Sequence, residues 1–391
     1  MSAESNEVTV LQGGGVIYPG ATIGMLGGGQ LGRMFALSAA QLGYRVIGFT
    51  PEENSPLSQV TGETICAQYE DQEALKRFAA KVDVVTIEFE NIPVETANLL
   101  AQLKPVRPRP QVLHIAQNRL REKSFLKDNG FKVAPFIIVK EESQLEEAID
   151  TLGVPAVLKT TGFGYDGKGQ RVVRAPEAAP EAWKSLNASE LIVEEFIPFE
   201  REISVIGARS ISGEFKAFGP IENQHKNHIL DLSTVPAKLS WSLEEEAIEI
   251  TRSLMEKLDV VGLLCVEFFL AEDERLLVNE VAPRPHNSGH YSIEACSVSQ
   301  FEQHVRAITG LPLGKTHVEG AACMANLLGD VWDDGLPDWS RALTSDVHLH
   351  LYGKRDARPG RKMGHITALA KYPDEAKELA RAARESLKAL R

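Results

Sequence analysis

Two apolar runs late in the chain are each interrupted by one carboxylate, and the acids stand thirteen positions apart: Val-Val-Gly-Leu-Leu-Cys-Val-Glu267-Phe-Phe-Leu, then Leu-Leu-Val-Asn279-Glu280-Val. A polar turn, Ala271 to Arg275, separates them. Such runs on either side of a turn give a hairpin of two largely buried strands, with one acid on each. Ionised carboxylates are rarely buried without a partner, so something cationic is expected between them. Upstream, Lys159 ends the apolar strand Val154-Pro-Ala-Val-Leu158, and the glycine-rich loop Gly162-Phe-Gly-Tyr-Asp-Gly-Lys-Gly-Gln170 follows. A lysine, a loop rich in backbone N–H groups and paired acids suited to Mg²⁺ together make a nucleoside-triphosphate site.

The chain opens differently. An apolar strand over 21–26 leads into Gly27-Gly-Gly-Gln-Leu-Gly32, a helix over 33–42 and a strand over 44–50. Further elements follow as a helix over 71–80, a strand over 82–89 and a helix over 93–103. This is a doubly wound parallel α/β unit. Gly27-x-Gly29-x-x-Gly32 matches the dinucleotide fingerprint, and Glu52 follows Gly32 by twenty residues. Taken alone, that favours an NAD-dependent oxidoreductase. Against it, Glu52 lies beyond Pro51 in a loop crowded with Pro, Asn and Ser, and the rest of the chain offers triphosphate ligands instead of a hydride-transfer site. The turn is therefore read as half of a site for a phosphorylated or polar substrate; close helix–strand packing without a ligand is the plainer alternative.

Residues 1–20 read as a flexible extension, and the three-proline segment Lys104-Pro-Val-Arg-Pro-Arg-Pro110 closes the first unit, taken as 21–116. The second unit, 117–315, starts with a helix over 117–129, and a small lid lobe occupies about 133–196. The third, 316–391, carries strands over 320–328, 346–352 and 364–370 and a charged helix over 373–390.

Composition narrows the class. Apolar content of 43% and charged content of 25% fit a soluble globular protein, and no apolar run approaches a membrane span. The first twenty residues lack the pattern of a signal peptide. Cys66, Cys265, Cys296 and Cys323 are scattered, which argues against a disulfide framework or structural zinc and for a cytoplasmic location. A net charge of −12 speaks against nucleic acid as a partner. The basic stretch Lys354-Arg-Asp-Ala-Arg-Pro-Gly-Arg-Lys362 runs against that balance; it is either a solvated turn or a site for a specific anion.

Taken in order, Gly27-Gly-Gly-Gln-Leu-Gly-Arg-Met34, Thr86-Ile-Glu-Phe-Glu-Asn91, Lys159 with Gly164 to Gln170, Val193-Glu-Glu-Phe-Ile197, Glu202, Glu267 and Asn279-Glu-Val-Ala-Pro-Arg-Pro-His-Asn-Ser-Gly-His290 resemble the ATP-grasp superfamily. Within it they are similar to the N5-carboxyaminoimidazole ribonucleotide synthetases, over about 21–390 and with no fused mutase domain. The resemblance implies an ATP-grasp fold behind a Rossmann-like pre-ATP-grasp unit, with a small C-terminal α+β domain. It also implies the reaction. ATP phosphorylates bicarbonate to carboxyphosphate, and the exocyclic amine of 5-aminoimidazole ribonucleotide takes the carboxyl group. Another ATP-grasp ligase, such as the formate-dependent glycinamide ribonucleotide transformylase, is the neighbouring alternative.

The resemblance also distributes roles. Glu267 and Glu280 would hold Mg²⁺, two ions in all, with Asn279 beside them. Arg119, Lys159, the loop residues Gly164, Tyr165, Asp166, Gly167, Lys168, Gly169 and Gln170, the linker Glu194, Glu195, Phe196 and Ile197, then Glu202 and His225, would bind ATP. Tyr165 and Asp166 would also reach the aminoimidazole. Arg284, His286 and Asn287 would clamp and orient bicarbonate, with His286 able to move a proton. Gln30, Leu31 and Glu88 would hold the acceptor's base and ribose, and Lys354 and Arg361 its phosphate. A homodimer is implied by the family alone. On spacing alone, Arg119 is equally a surface-helix arginine and His225 a surface histidine.

Overall fold

The computed structural model describes residues 15–162, 169–333, 335–344 and 346–387. The first sheet comprises β1 (Thr22–Leu26), β2 (Arg45–Thr50), β3 (Glu63–Cys66) and β4 (Val84–Ile87). It is parallel, in the order β3-β2-β1-β4. All residues of β1 and β4 are buried, as expected of parallel strands covered on both faces. The helix Gln30–Gln41 leaves the glycine turn, and Asp71 caps the helix Gln72–Ala79 by accepting from the Ala74 N–H at 2.9 Å. β3 was not anticipated: it has only four residues, none fully buried, so it carries little apolar signal.

After the helices Pro110–Ala116 and Arg119–Asp128 comes a small antiparallel sheet. Its strands are β5 (Phe136–Val139), β6 (Ala156–Thr160), β7 (Gln170–Val173) and β8 (Leu191–Glu195), in the order β5-β8-β6-β7. Leu145, Ile149 and Ala179 from its two helices close its core against Leu158, Val173 and Val193.

The third sheet has eight antiparallel strands. Five are β9 (Phe199–Arg209), β10 (Phe215–Lys226), β11 (Ile229–Val235), β12 (Gly262–Ala271) and β13 (Leu276–Ala282). The other three are β14 (Ala321–Leu328), β15 (Val347–Leu351) and β16 (Lys362–Ala370). The order is β13-β12-β9-β10-β11-β14-β16-β15. The residues after 316 therefore do not close a sheet of their own; β14 hydrogen-bonds to β11 and prolongs the central one. The helix Pro373–Glu385 lays Ala376, Ala380 and Ala383 on this extension at helical spacing.

The helix Gln300–Thr309 joins the first sheet to the third. Its Phe301, Val305 and Ile308 pack with Met34 and Phe35, and His304 Nε2 lies 2.8 Å from Thr86 Oγ1 at the heart of β4. With this contact made, the C-terminal ends of β1 and β4 face the β12–β13 hairpin.

Candidate active site

A cavity of about 1240 Å³ opens where the three sheets meet. Every described residue assigned above to a site lines it except Gly169, which is bound to the wall through its carbonyl, 2.8 Å from the Thr160 N–H. Gln30 and Leu31 come from the helix after the glycine turn, Glu88 from just beyond β4, and Arg119 from the helix Arg119–Asp128. Lys159, Gln170, Glu194, Glu195, Phe196 and Ile197 come from the small sheet and its exit. Glu202, His225, Glu267, Asn279 and Glu280 come from the large sheet, Arg284, His286 and Asn287 from the loop after β13, and Lys354 and Arg361 from the C-terminal extension. Gly164, Tyr165, Asp166, Gly167 and Lys168 lie outside the described residues.

Glu267 and Glu280 are directly paired across β12 and β13, one step before a bulge. Paired residues share a face, so both carboxylates point the same way. That way is into the cavity: Glu267 is half-buried, and Glu280 is open to cavity solvent though walled in by protein elsewhere. Glu267 meets an imidazole, its Oε1 lying 2.9 Å from His286 Nε2. Because His286 Nδ1 accepts from the Ser288 N–H at 3.3 Å, Nε2 carries the proton directed at Glu267. Burial pushes the Glu267 carboxyl up, but the His286 hydrogen bond and charge reverse this and hold it low. Burial, then the Glu267 charge, push Glu280 up. Glu122 lies behind, fully enclosed, accepting from the Val281 N–H at 2.5 Å, and burial followed by the Glu280 charge raises it. Like charges gathered this closely favour a bound cation.

The nucleotide side is organised by Glu194. Its Oε2 accepts from Lys159 Nζ at 2.8 Å and stands 3.5 Å from Lys123 Nζ. Burial alone would raise this carboxyl; Lys159 and then Lys123 bring it to about 2. Lys159 comes from β6, Glu194 from β8 and Lys123 from the helix Arg119–Asp128, so one carboxylate holds the small sheet to the helix beneath it. Arg119 donates to the Thr160 carbonyl at 3.0 Å, further fixing the end of β6. His225 Nδ1 lies 2.7 Å from Glu202 Oε2.

The glycine turn differs from its fingerprint reading. The N–H groups of Gly29 and Gly32 donate to the Glu88 carboxylate, Gly32 at 2.8 Å. A Cβ at Gly27 would stand 2.3 Å from Glu88 Cγ, and one at Gly29 2.8 Å from Glu88 Oε1. These glycines are small because an internal carboxylate packs on the turn. The helix N-terminus thus already has its acceptor, and a dinucleotide diphosphate is excluded by space.

Three further expectations need refinement. Arg284 forms a two-pronged pair with Glu90: Nη2 donates to Oε1 at 3.0 Å and Nε donates to Oε2. Its fork is thus filled from within. The Asn287 and Asn326 amides hydrogen-bond reciprocally at 2.8 and 3.1 Å, which ties the loop to β14. Lys354 Nζ donates to the Lys362 carbonyl at 2.7 Å and lies over the Tyr352 ring. Burial, then the Arg361 charge, lower this ammonium to about 8. His290, close by in sequence, turns into the interior, its Nδ1 3.0 Å from Gln300 Nε2.

Three domain families match in chain order. They are the ribonucleotide synthetase preATP-grasp domain over 20–117, the ATP-grasp domain over 124–301 and the phosphoribosylaminoimidazole carboxylase C-terminal domain over 322–379. An N5-carboxyaminoimidazole ribonucleotide synthase of Bacillus subtilis (strain 168) is 45% identical over 360 residues, which cover 92% of this chain and 94% of that protein. The chain belongs to the N5-carboxyaminoimidazole ribonucleotide synthase family. Another member, from Brucella melitensis, is 46% identical and covers 90% of this chain and 97% of its own. The fold is that of an N5-carboxyaminoimidazole ribonucleotide synthetase solved as its ADP complex (TM-score 0.89, 45% identity, 94% and 97% of the two chains). It is also that of the Aspergillus clavatus synthase solved with ADP and 5-aminoimidazole ribonucleotide (0.86, 31%, 94% and 98%). This settles the ATP-grasp class and, with Glu88 on the turn, removes the nicotinamide reading.

Glu90, Glu122, Lys123 and Lys362 line or brace the cavity and were not singled out from the sequence. Glu90 had a signal, standing two positions after Glu88 in the quoted Ile-Glu-Phe-Glu run. Glu122 and Lys123 had none, because adjacent charges on a helix read as a solvated face.

Proposed function

We propose that this cavity carries out the reaction for which the family is named. ATP and bicarbonate give carboxyphosphate, and the exocyclic amine of 5-aminoimidazole ribonucleotide is carboxylated to N5-carboxyaminoimidazole ribonucleotide. The observation that carries this reading is the meeting, in one cavity, of the opposed acids Glu267 and Glu280 with Gln30 and Leu31 on one side and Lys354 and Arg361 on another. The first group suits a triphosphate, the others a base and a phosphate dianion.

Magnesium fits the acids: two carboxylates share a face with one carboxyl raised by its neighbour, and an oxygen donor set is what this ion prefers. Glu267 and Glu280 would hold it, with Asn279 adjacent, and it would supply neutralisation of phosphate charge. Lys159 and Arg119 would face the phosphates, the carbonyls and N–H groups of Glu195 to Ile197 the adenine, and Glu202 and His225 the ribose. The Gly162–Gln170 loop would cover the site, with Tyr165 and Asp166 directed at the aminoimidazole; excluding water there preserves a hydrolysable acyl phosphate. Arg284, held in place by Glu90, would offer its remaining N–H groups to bicarbonate, while His286 and Asn287 shape the pocket around it. Lys354 and Arg361 would bind the acceptor phosphate. Purine synthesis, a cytoplasmic location and a homodimer follow as parts of the same proposal; sedimentation tests the last.

The decisive experiment is phosphate release from ATP, with and without bicarbonate and 5-aminoimidazole ribonucleotide, alongside detection of the carboxylated product. Release is expected to need the substrates; release independent of both overturns the proposal.

A further inference from the structure

Behind Glu267 a buried sulfur donor, for which the proposed reaction has no use, meets two groups of the site. Cys265 precedes Glu267 by two positions on β12, so the two side chains leave the same face of the strand. His286 reaches the same place from the loop after β13. The Cys265 sulfur, a Glu267 oxygen and a His286 ring nitrogen all lie within 4.8 Å of one another, the only such grouping of three His, Cys, Asp or Glu donors among the described residues. Cys265 is fully buried and the other two are half-buried. Magnesium, a hard cation, takes oxygen and ignores a thiol. Sulfur, imidazole and carboxylate together are the donors of a thiophilic dication.

We propose that Cys265, Glu267 and His286 form a site for a thiophilic divalent cation, Zn²⁺ above all, which competes with magnesium for Glu267 and arrests the enzyme. The competition rests on the reading of Glu267 as a magnesium ligand; the site itself does not. Charge balances: a thiolate and a carboxylate offset the dication, with the imidazole neutral. Cys265 is fully buried, so its thiol proton leaves by way of the Ser288 hydroxyl to His286 Nδ1, and the His286 Nε2 proton leaves to the cavity that His286 lines. With its proton on Nδ1, His286 donates to the Ser288 hydroxyl oxygen 2.8 Å away, and the Ser288 N–H, 3.3 Å from Nδ1, gives up that acceptor. Three protein ligands leave a fourth position open toward the cavity for water. The donors are also held in place. β12 lies between β9 and β13, and the Ser288 hydroxyl is 2.9 Å from that of Ser204 on β9, which anchors the loop that carries His286.

Cobalt(II) is the probe. Titrated into the nucleotide-free, magnesium-free protein, one equivalent is expected to give tetrahedral ligand-field bands and a sulfur-to-cobalt charge-transfer band. Cys265→Ala should abolish the charge-transfer band and weaken cobalt binding ~10-fold or more, since removing even an outer-sphere partner costs that much. Glu267→Gln should weaken binding and keep the band. In the magnesium-dependent assay, Zn²⁺ should inhibit competitively with Mg²⁺. Cys265→Ala, and Cys265→Ser where packing requires the volume, should raise the inhibiting Zn²⁺ concentration by the same factor with little change in the zinc-free rate. Absence of the charge-transfer band in the unaltered protein, or equal zinc sensitivity with and without Cys265, overturns the proposal. A protein that shows the band but does not carboxylate refutes the functional reading and leaves the site standing; an active enzyme without the band does the reverse.

Discussion

The glycine turn after β1 and the acid hairpin β12–β13 both look like ligand sites in the sequence, and the structure treats them in opposite ways. In the turn, the N–H groups of Gly29 and Gly32 already have an acceptor, the Glu88 carboxyl delivered from the end of β4. In the hairpin, two acids face each other across the register and open together into the cavity. Each motif marks groups that need a partner. Whether the chain supplies that partner, or leaves the place to a ligand, depends on what another segment brings to it.

The largest effect should come from the open side of this contrast. Glu267→Gln or Glu280→Gln is expected to lower kcat by about 10²–10³, the usual loss for one electrostatic element of a phosphoryl-transfer site. For Glu280→Gln the melting temperature should hold or rise, because burial and the Glu267 charge already disfavour its ionised form; Glu267→Gln should not raise it, because the carboxylate is stabilised by His286. A steady-state assay and a thermal scan check both halves; a fall in melting temperature with activity retained would mean the acids are structural.

On the closed side the order reverses. Glu88→Ala removes the internal acceptor of two N–H groups and should cost about 1–3 kcal/mol of stability, read by urea titration. Unchanged stability in that variant would show the turn to be as open as the hairpin.

The basic loop sharpens the contrast through pH. Lys354 is charged below about 8, the value to which burial and Arg361 bring it, and neutral above. The acceptor kcat/KM, which reports the free enzyme, should be level below that point and fall about tenfold per unit above it. Lys354→Arg should flatten the profile, since guanidinium stays charged.

The smallest effect separates space from charge in the turn. A Cβ at Gly32 would lie 3.3 Å from Glu88 Oε2, against 2.8 Å from Oε1 at Gly29. Gly32→Ala should therefore stay within about 1 kcal/mol of the parent, its helix-propensity gain offsetting the tight contact. Gly29→Ala should cost more, and paired urea titrations show the order.

Much of the fold could be read directly. β1, β4 and β12 are near-continuous apolar runs, and the structure places them within a residue or two of the expected spans. The glutamates of the hairpin stood out because each broke such a run. β3 was not legible, being four residues with none fully buried. The helix Pro110–Ala116 was hidden too: prolines that read as a linker end with Pro110 at a first helical turn, where its missing N–H costs nothing. Glu122 and Lys123 gave no sign of their burial, because nothing local separates a paired interior charge from a solvated one.

The sequence by itself determined the strands and helices, the acid-bearing hairpin, the lysine at the end of β6 and the family, since periodicity, turn chemistry and ordered motifs are properties of neighbours along the chain. Only the tertiary structure decided which donors were already taken. Glu88 on the glycine turn, Glu90 on Arg284, Glu194 between two lysines and Asn326 on Asn287 are pairings between segments far apart in sequence. Hydrogen bonds and ion pairs act only within a few ångströms, so partners of this kind are fixed when the sheets pack, and not before.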